Sequence, residues 1–298
     1  MIPQAYAQYE KTVTVGCVTY QSIWGDKRAN LDKIKGLIRE AASRGIDIVA
    51  FPELALSGYE SNEDCTLHQD LAETIPGPAT EEIQVLATEL DIYVILGMPE
   101  RDTTNPDLCY ISCALIGPEG LVGRYRKLHL GPPPIFAETL SFNAVGDEVP
   151  VFDTRFGPIG IQICGDFWSF PELSRIQMMK GARIIFNCTA SPDAPNKPYY
   201  LVQQTGARAT ENLVYTASAN MVGIERTVSF YGTSTIAGPD FPAFSKVYAQ
   251  GERREEIVSA TLSFEKLHRF RSALDLVALR KSDVMLEEFK QLARENRD

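Results

Sequence analysis

Hydrophobic positions along the chain alternate between runs of strand length and stretches with the spacing of a helix face. TVTVGCVTY (12–20) and IDIVAF (46–51) are strand-like, and between them Ile34, Leu37, Ile38, Ala41 and Ala42 recur at helical spacing. The order strand, helix, strand follows. A second stripe, Ile83, Leu86, Ala87 and Leu90, precedes IYVILG (92–97). YISCALIG (110–117) comes too soon after it for another helix, which predicts a hairpin or meander. The alternation resumes with FGPIGIQIC (156–164), a predicted helix over 171–180, RIIFNCTA (183–190), a helix near 198–211 and LVYTASAN (213–220). FYGTSTIAG (230–238) and EEIVSATLSF (255–264) add strands, and Val284, Leu286, Phe289 and Leu292 mark an amphipathic terminal helix. No Gly/Ser-rich spacer or short-period repeat interrupts the pattern. One α/β domain over 1–298 with a mixed sheet system is expected, periodicity leaving open whether there are one or two sheets.

Composition narrows the class of partner. A formal charge of −10 argues against phosphate backbones and anionic membrane surfaces, so no nucleic acid and no membrane is expected among the partners. The N-terminus lacks a basic flank, an apolar stretch and a cleavage site, which makes the cytoplasm the default location. Six cysteines in a chain of this length without secretion signals do not read as a disulfide framework. Cys17, Cys113 and Cys188 sit in apolar runs, where free cysteine serves as a small buried hydrophobe.

The segment G160-I-Q-I-C164-G-D-F-W-S-F-P-E172 places a cysteine where a buried strand ends and a helix soon begins. A nucleophile on such a turn points out of the sheet edge, with backbone N–H groups nearby for a developing oxyanion. Gly165 is read as allowing close backbone approach. The plain alternative is one more buried strand cysteine. A thiol is mostly protonated at neutral pH, so a nucleophilic cysteine needs a base or a positive charge beside it. Of the three histidines only His129 is suggestively placed, on the side shared with Lys127 if the strand G123-R-Y-R-K-L-H-L130 persists. Glu53, ending the apolar run 46–53, is a candidate base whose pKa burial would raise. Taken singly, Glu53 and Lys127 also read as solvated charges at strand ends, and a Cys/His pair stays open.

Together, FPE (51–53), RKLHL (126–130) and ICGDFWSFPE (163–172) resemble, in order and local pattern, the signatures of the nitrilase superfamily of carbon–nitrogen hydrolases. GARIIFNCTASP (181–192), ARATEN (207–212), VYTASANMVG (214–223) and YGTSTIAGP (231–239) extend the resemblance to about residue 264. It implies a four-layer α-β-β-α sandwich of two mixed sheets with outer helices. It implies Glu53 as general base, Lys127 as electropositive stabiliser, Cys164 as nucleophile, the Gly165 backbone N–H at the oxyanion, and Glu138 as a supporting residue. Tyr59, Phe167, Trp168 and Thr189 are the candidate pocket residues. No cofactor and no metal is implied, the reaction passing through a cysteine thioester.

Gly165 and Asp166 stand where nitrilases proper carry tryptophan and glutamate, so the resemblance favours the amidase and carbamoylase branches, with a small linear amide or N-carbamoyl compound as substrate and ammonia as product. Phe167, Trp168 and Ser169 stand where branches acting on N-carbamoyl-D-amino acids carry arginines, which removes the expectation of an α-carboxylate anchor. The proline-rich loop 131–134 departs from the pattern, as does the tail over 265–298, which in relatives reaches across a subunit interface; a homodimer or higher homo-oligomer is expected on that ground. The competing expectations are a nitrilase or acyl-transferring member, and a non-catalytic assembly protein.

Overall fold

The computed structural model describes residues 3–60, 65–133, 136–240 and 242–295. The first half runs β1 (Thr12–Thr19), α1 (Lys27–Ser43), β2 (Ile48–Ala50), α2 (Leu67–Leu71), α3 (Pro78–Leu90), β3 (Tyr93–Arg101), β4 (Cys109–Gly117) and β5 (Gly120–Arg126). The second runs α4 (Glu138–Ser141), β6 (Val151–Phe152), β7 (Ile159–Ile163), α5 (Gly165–Ser169), α6 (Pro171–Met179), β8 (Ile184–Thr189), α7 (Lys197–Asn212) and β9 (Tyr215–Asn220). The hairpin β10 (Val222–Glu225) and β11 (Val228–Tyr231) follows, then β12 (Thr235–Gly238), β13 (Lys246–Gln250), β14 (Glu256–Ser263), α8 (Phe264–Ala273), α9 (Leu276–Leu279) and α10 (Ser282–Glu295).

Two six-stranded sheets form, ordered β14-β1-β2-β3-β4-β5 and β13-β12-β9-β8-β7-β6. In the first, β1, β2 and β3 are parallel and β3-β4-β5 is the antiparallel meander that the short spacing predicted. In the second, β7, β8 and β9 are parallel. Strand periodicity splits the apolar side chains between two faces. Val15, Ile48, Ile95 and Cys113 of one sheet meet Ile161, Phe186, Cys188 and Ala217 of the other in the central core. Val49, Val94, Leu96 and Ala114 face outward onto Ile34 and Ile38 of α1 and Ile83 and Ala87 of α3. Cys17, Cys113 and Cys188 are buried in the core as expected. The layers are the four expected, helix, sheet, sheet, helix.

Two element readings need correction. FYGTSTIAG is not one strand: Gly232 (φ 72°) and Thr233 (φ 58°) turn the chain out of extended geometry, so β11 pairs with β10 while β12 joins the main sheet. The strand before Lys127 ends at Arg126 and does not persist to His129. The terminal helix forms over Ser282–Glu295, but Val284, Leu286, Phe289 and Leu292 are all exposed. Among the described residues no helix is long and apolar enough to cross a membrane.

Candidate active site

Parallel strands deliver their C-terminal ends to one edge of the sandwich, the usual place for a site in α/β sheets. Glu53 follows β2, Lys127 follows β5, Cys164 follows β7 and Thr189 ends β8. Each of the first three is held by a different local device. At Glu53 the chain crosses closely over β3: a Cβ on Gly97 would lie 2.1 Å from the Pro52 carbonyl oxygen and 2.9 Å from the Glu53 Cα. Only glycine leaves that room. At Lys127 the backbone N–H donates to the Ile111 carbonyl (2.9 Å) and its carbonyl accepts from the Gly146 N–H (2.9 Å).

At Cys164 the chain turns from β7 into α5 with φ 48° and ψ −108°, a conformation costing a non-glycine residue on the order of 1–3 kcal/mol. The strain is held by the Cys164 N–H, which donates to the Cys188 carbonyl oxygen (3.1 Å) and to Asn187 Oδ1 (3.1 Å). Gly165 needs no close approach, since a Cβ there would meet only the His129 carbonyl oxygen at 4.0 Å. That corrects the reading of this glycine; the strained position is the cysteine itself. The Gly165 N–H, first of α5, has no acceptor within the helix.

Lys127 joins the constellation. Its ammonium donates to Glu53 Oε1 (2.7 Å) and to both Glu138 oxygens (2.7 and 2.8 Å). Glu53 Oε2 accepts from the Ala190 N–H (3.1 Å), and Glu138 also accepts from the Tyr59 hydroxyl (2.7 Å) and the Gly131 N–H (2.8 Å). All three charged side chains are buried, so neither solvated-charge alternative holds. Burial pushes the Glu53 carboxyl up to about 7, with the Lys127 charge opposing and that of Glu138 adding. Burial alone would lower Lys127, but the Glu138 and Glu53 carboxylates outweigh it and hold the ammonium well above its ordinary value. The Cys164 thiol is pushed up to about 12 by burial first and then by the Glu53 charge. The resting group is therefore a neutral thiol beside a carboxyl poised near neutrality, and not a stored thiolate.

A cavity of about 470 Å³ opens on this centre, bordered by Lys127, Glu138, Cys164 and Gly165 and walled by Leu130, Pro132, Pro133, Phe136, Trp168, Phe170 and Tyr200. Of the four expected pocket residues, Trp168 borders it. Phe167 does not, because consecutive helical residues point about 100° apart, and its ring is fully buried in the core. Tyr59 lies behind Glu138, and the buried Thr189 hydroxyl has no full hydrogen bond among the described residues. Pro134 and Ile135 of the proline-rich loop lie outside the described residues.

His129 borders the cavity without joining Lys127: its Nδ1–H donates to Asp166 Oδ1 (2.7 Å) and its ring stacks 3.5 Å from that of Phe170. Sequence reasoning used Asp166 only as a marker of the branch and gave it no structural role. Buried on α5, it accepts from the Tyr125 hydroxyl (2.7 Å), the Leu128 N–H (2.9 Å), the His129 N–H (3.1 Å) and His129 Nδ1, clamping the lysine segment to the cysteine turn. The only signal for it was an acidic residue in the first turn of a helix. Among the described residues no group of His, Cys, Asp and Glu side chains is arranged to hold a metal ion.

The family model described as carbon-nitrogen hydrolase matches residues 14–272. A nitrilase of Pyrococcus abyssi is 36% identical over 231 residues, 76% of this chain and 81% of its own. The omega-amidase of Bos taurus is 33% identical over 277 residues, 89% of this chain and 94% of its own. The crystal structure of Nit3 from Saccharomyces cerevisiae, a member of branch 10 of the nitrilase superfamily, superposes with a TM-score of 0.80 at 25% identity, covering 92% of this chain and 98% of that one. The chain belongs to the carbon-nitrogen hydrolase family of the nitrilase superfamily.

Proposed function

We propose that this carbon–nitrogen hydrolase cleaves a small linear amide or N-carbamoyl compound through a thioester on Cys164, releasing ammonia. The observation that carries the reading is the convergence of Glu53, Lys127 and Cys164 from three strand ends, with a neutral thiol at the cavity and a carboxyl near neutrality behind it. Burial holds the proton on the thiol, so it leaves as sulfur adds to the carbonyl. Glu53 takes that proton. The oxyanion is met by the Lys127 ammonium and the Gly165 N–H, donors of a kind worth about 3–4 kcal/mol each in the transition state. Glu53 passes the proton to the departing nitrogen, and ammonia leaves. Water then attacks the thioester, Glu53 accepts its proton, and return of that proton to sulfur frees the acid.

In this scheme Glu138 positions Lys127 and balances its charge. The Bos taurus relative's name supports an amide over a nitrile, as do Gly165 and Asp166 after the cysteine. The exposed apolar face of α10 supports a homo-oligomer with the tail at the contact. Ammonia release by wild type and Cys164→Ala from a panel of aliphatic amides, ω-amides, N-carbamoyl amines and nitriles tests the reading. Turnover of amides that vanishes in the variant is expected. Equal release by the variant, or turnover of nitriles alone, contradicts it.

A further inference from the structure

Helix α5 is only five residues long, Gly165–Ser169, and the sequence cuts it off at its carbonyl end. In an unbroken helix the Phe167 carbonyl would accept from residue 171, but Pro171 has no N–H to give. Arg208 of α7 supplies the donors instead. Its Nε donates to the Phe167 carbonyl and its Nη2 to the Trp168 carbonyl, at 2.9 Å each. The Arg208 side chain is buried, whereas its carboxylate partner, Glu211 (3.1 Å), is exposed. A positive charge therefore sits at the carbonyl end of α5, where the helix dipole favours it.

These bonds lead back to the cysteine turn. The Phe167 carbonyl and the Trp168 N–H belong to one peptide group, and that N–H donates to the Cys164 carbonyl (3.1 Å). The Phe167 N–H donates to the same oxygen (2.9 Å). The Cys164 carbonyl in turn shares its peptide group with the Gly165 N–H, and in a trans peptide the two point opposite ways. The line runs unbroken from the guanidinium through the 167–168 peptide and the 164–165 peptide to the N–H of Gly165, a residue on the cavity wall. Strain makes the line matter: Cys164 has φ 48° and ψ −108°, and ψ is the angle that aims the Gly165 N–H. A free chain would relax that peptide, and the two donors on the Cys164 carbonyl hold it. Hydrogen bonds in a chain polarise one another, so a cation at one end strengthens the donor at the other.

We propose that Arg208 is a positioning residue for catalysis, which aims and polarises the Gly165 N–H through these two peptide groups. The proposal rests on the thioester reading above, in which that N–H meets the oxyanion. Three readouts on Arg208→Met and Arg208→Lys test it. In ammonia release from butanamide, Arg208→Met should lose roughly tenfold to a hundredfold in kcat with KM within about threefold, because the donor acts in the transition state. Butanal reads the same donor without turnover: sulfur adds to its carbonyl carbon, the thiol proton passes to Glu53, and the oxygen takes the charge. Its dissociation constant, measured by calorimetry, should rise by a similar factor. Iodoacetamide alkylates Cys164 by displacing iodide at a methylene carbon and builds no charge on oxygen, so its rate should stay within about twofold of wild type. Arg208→Lys keeps the charge and loses the fork, and should lose about threefold to tenfold in kcat and in butanal affinity; it carries the test alone if Arg208→Met does not fold. Unchanged kcat and butanal affinity in both variants, or alkylation that falls in step with them, overturns the proposal and leaves hydrolysis standing. Arg208-dependent butanal binding with no ammonia from any amide of the panel above sustains the proposal and sinks the hydrolytic reading. Absence of butanal binding to wild type also overturns the proposal.

Discussion

Glu53 is placed where its charge matters most, wholly buried against a lysine that it shares with a second carboxylate. Burial raises its pKa to about 7, and as the proposed base it must be ionised to act, so kcat/KM should rise with pH through about 7 and level off above it. A profile flat from pH 6 to 8 contradicts this assignment. Glu53→Gln keeps the shape and removes the proton acceptor; kcat should fall by roughly 10²- to 10⁴-fold with little change in Tm. His129 is engaged by Asp166, so His129→Asn should retain most activity, whereas a Cys/His mechanism requires its loss to be as severe as that of Glu53. The identities of Glu53, Lys127 and Cys164 were legible as motifs in the sequence. Their burial was not, nor was the Glu53–Lys127 contact, which spans 74 residues and depends on the packing of separate strands.

Short elements and their junctions set the geometry of the site. A methyl at Gly97 would meet the Pro52 carbonyl at 2.1 Å and push Glu53 away from Lys127. Gly97→Ala should cost about 1–3 kcal/mol of stability and more than tenfold in activity, measured by thermal melting beside ammonia release. Asp166 accepts four hydrogen bonds that bind the 125–129 segment to α5. Asp166→Ala strands those donors and should destabilise the protein by about 2–4 kcal/mol, read from urea unfolding. The regular strands and helices α1, α3, α6 and α7 followed from periodicity because each buries one continuous stripe. The β10–β11 hairpin, β13 and the halt of β5 at Arg126 did not. Their positions depend on positive-φ residues such as Gly232 and on a register that apolar spacing does not encode.

At the scale of the molecule, sheet pairing brings the C-terminal ends of β2, β5, β7 and β8 to one edge, and both halves of the chain contribute to the cavity. The doubled strand–helix order foretold two sheets only with the family resemblance, since the same pattern serves a single sheet. Beyond the sandwich, α10 carries Met285, Leu286, Phe289 and Leu292 on an exposed face. If the tail seats on a second copy, Phe289→Asp with Leu286→Asp should lower the mass seen by sedimentation; an unchanged mass removes the tail from the contact. The central claim, that Cys164 carries the acyl group, is tested most directly by intact-protein mass spectrometry after rapid acid quench with an amide that turns over. The account predicts an added mass equal to the acyl group, mapped by peptide to Cys164. Ammonia release continuing in Cys164→Ala, with no adduct on the wild-type cysteine, would contradict it.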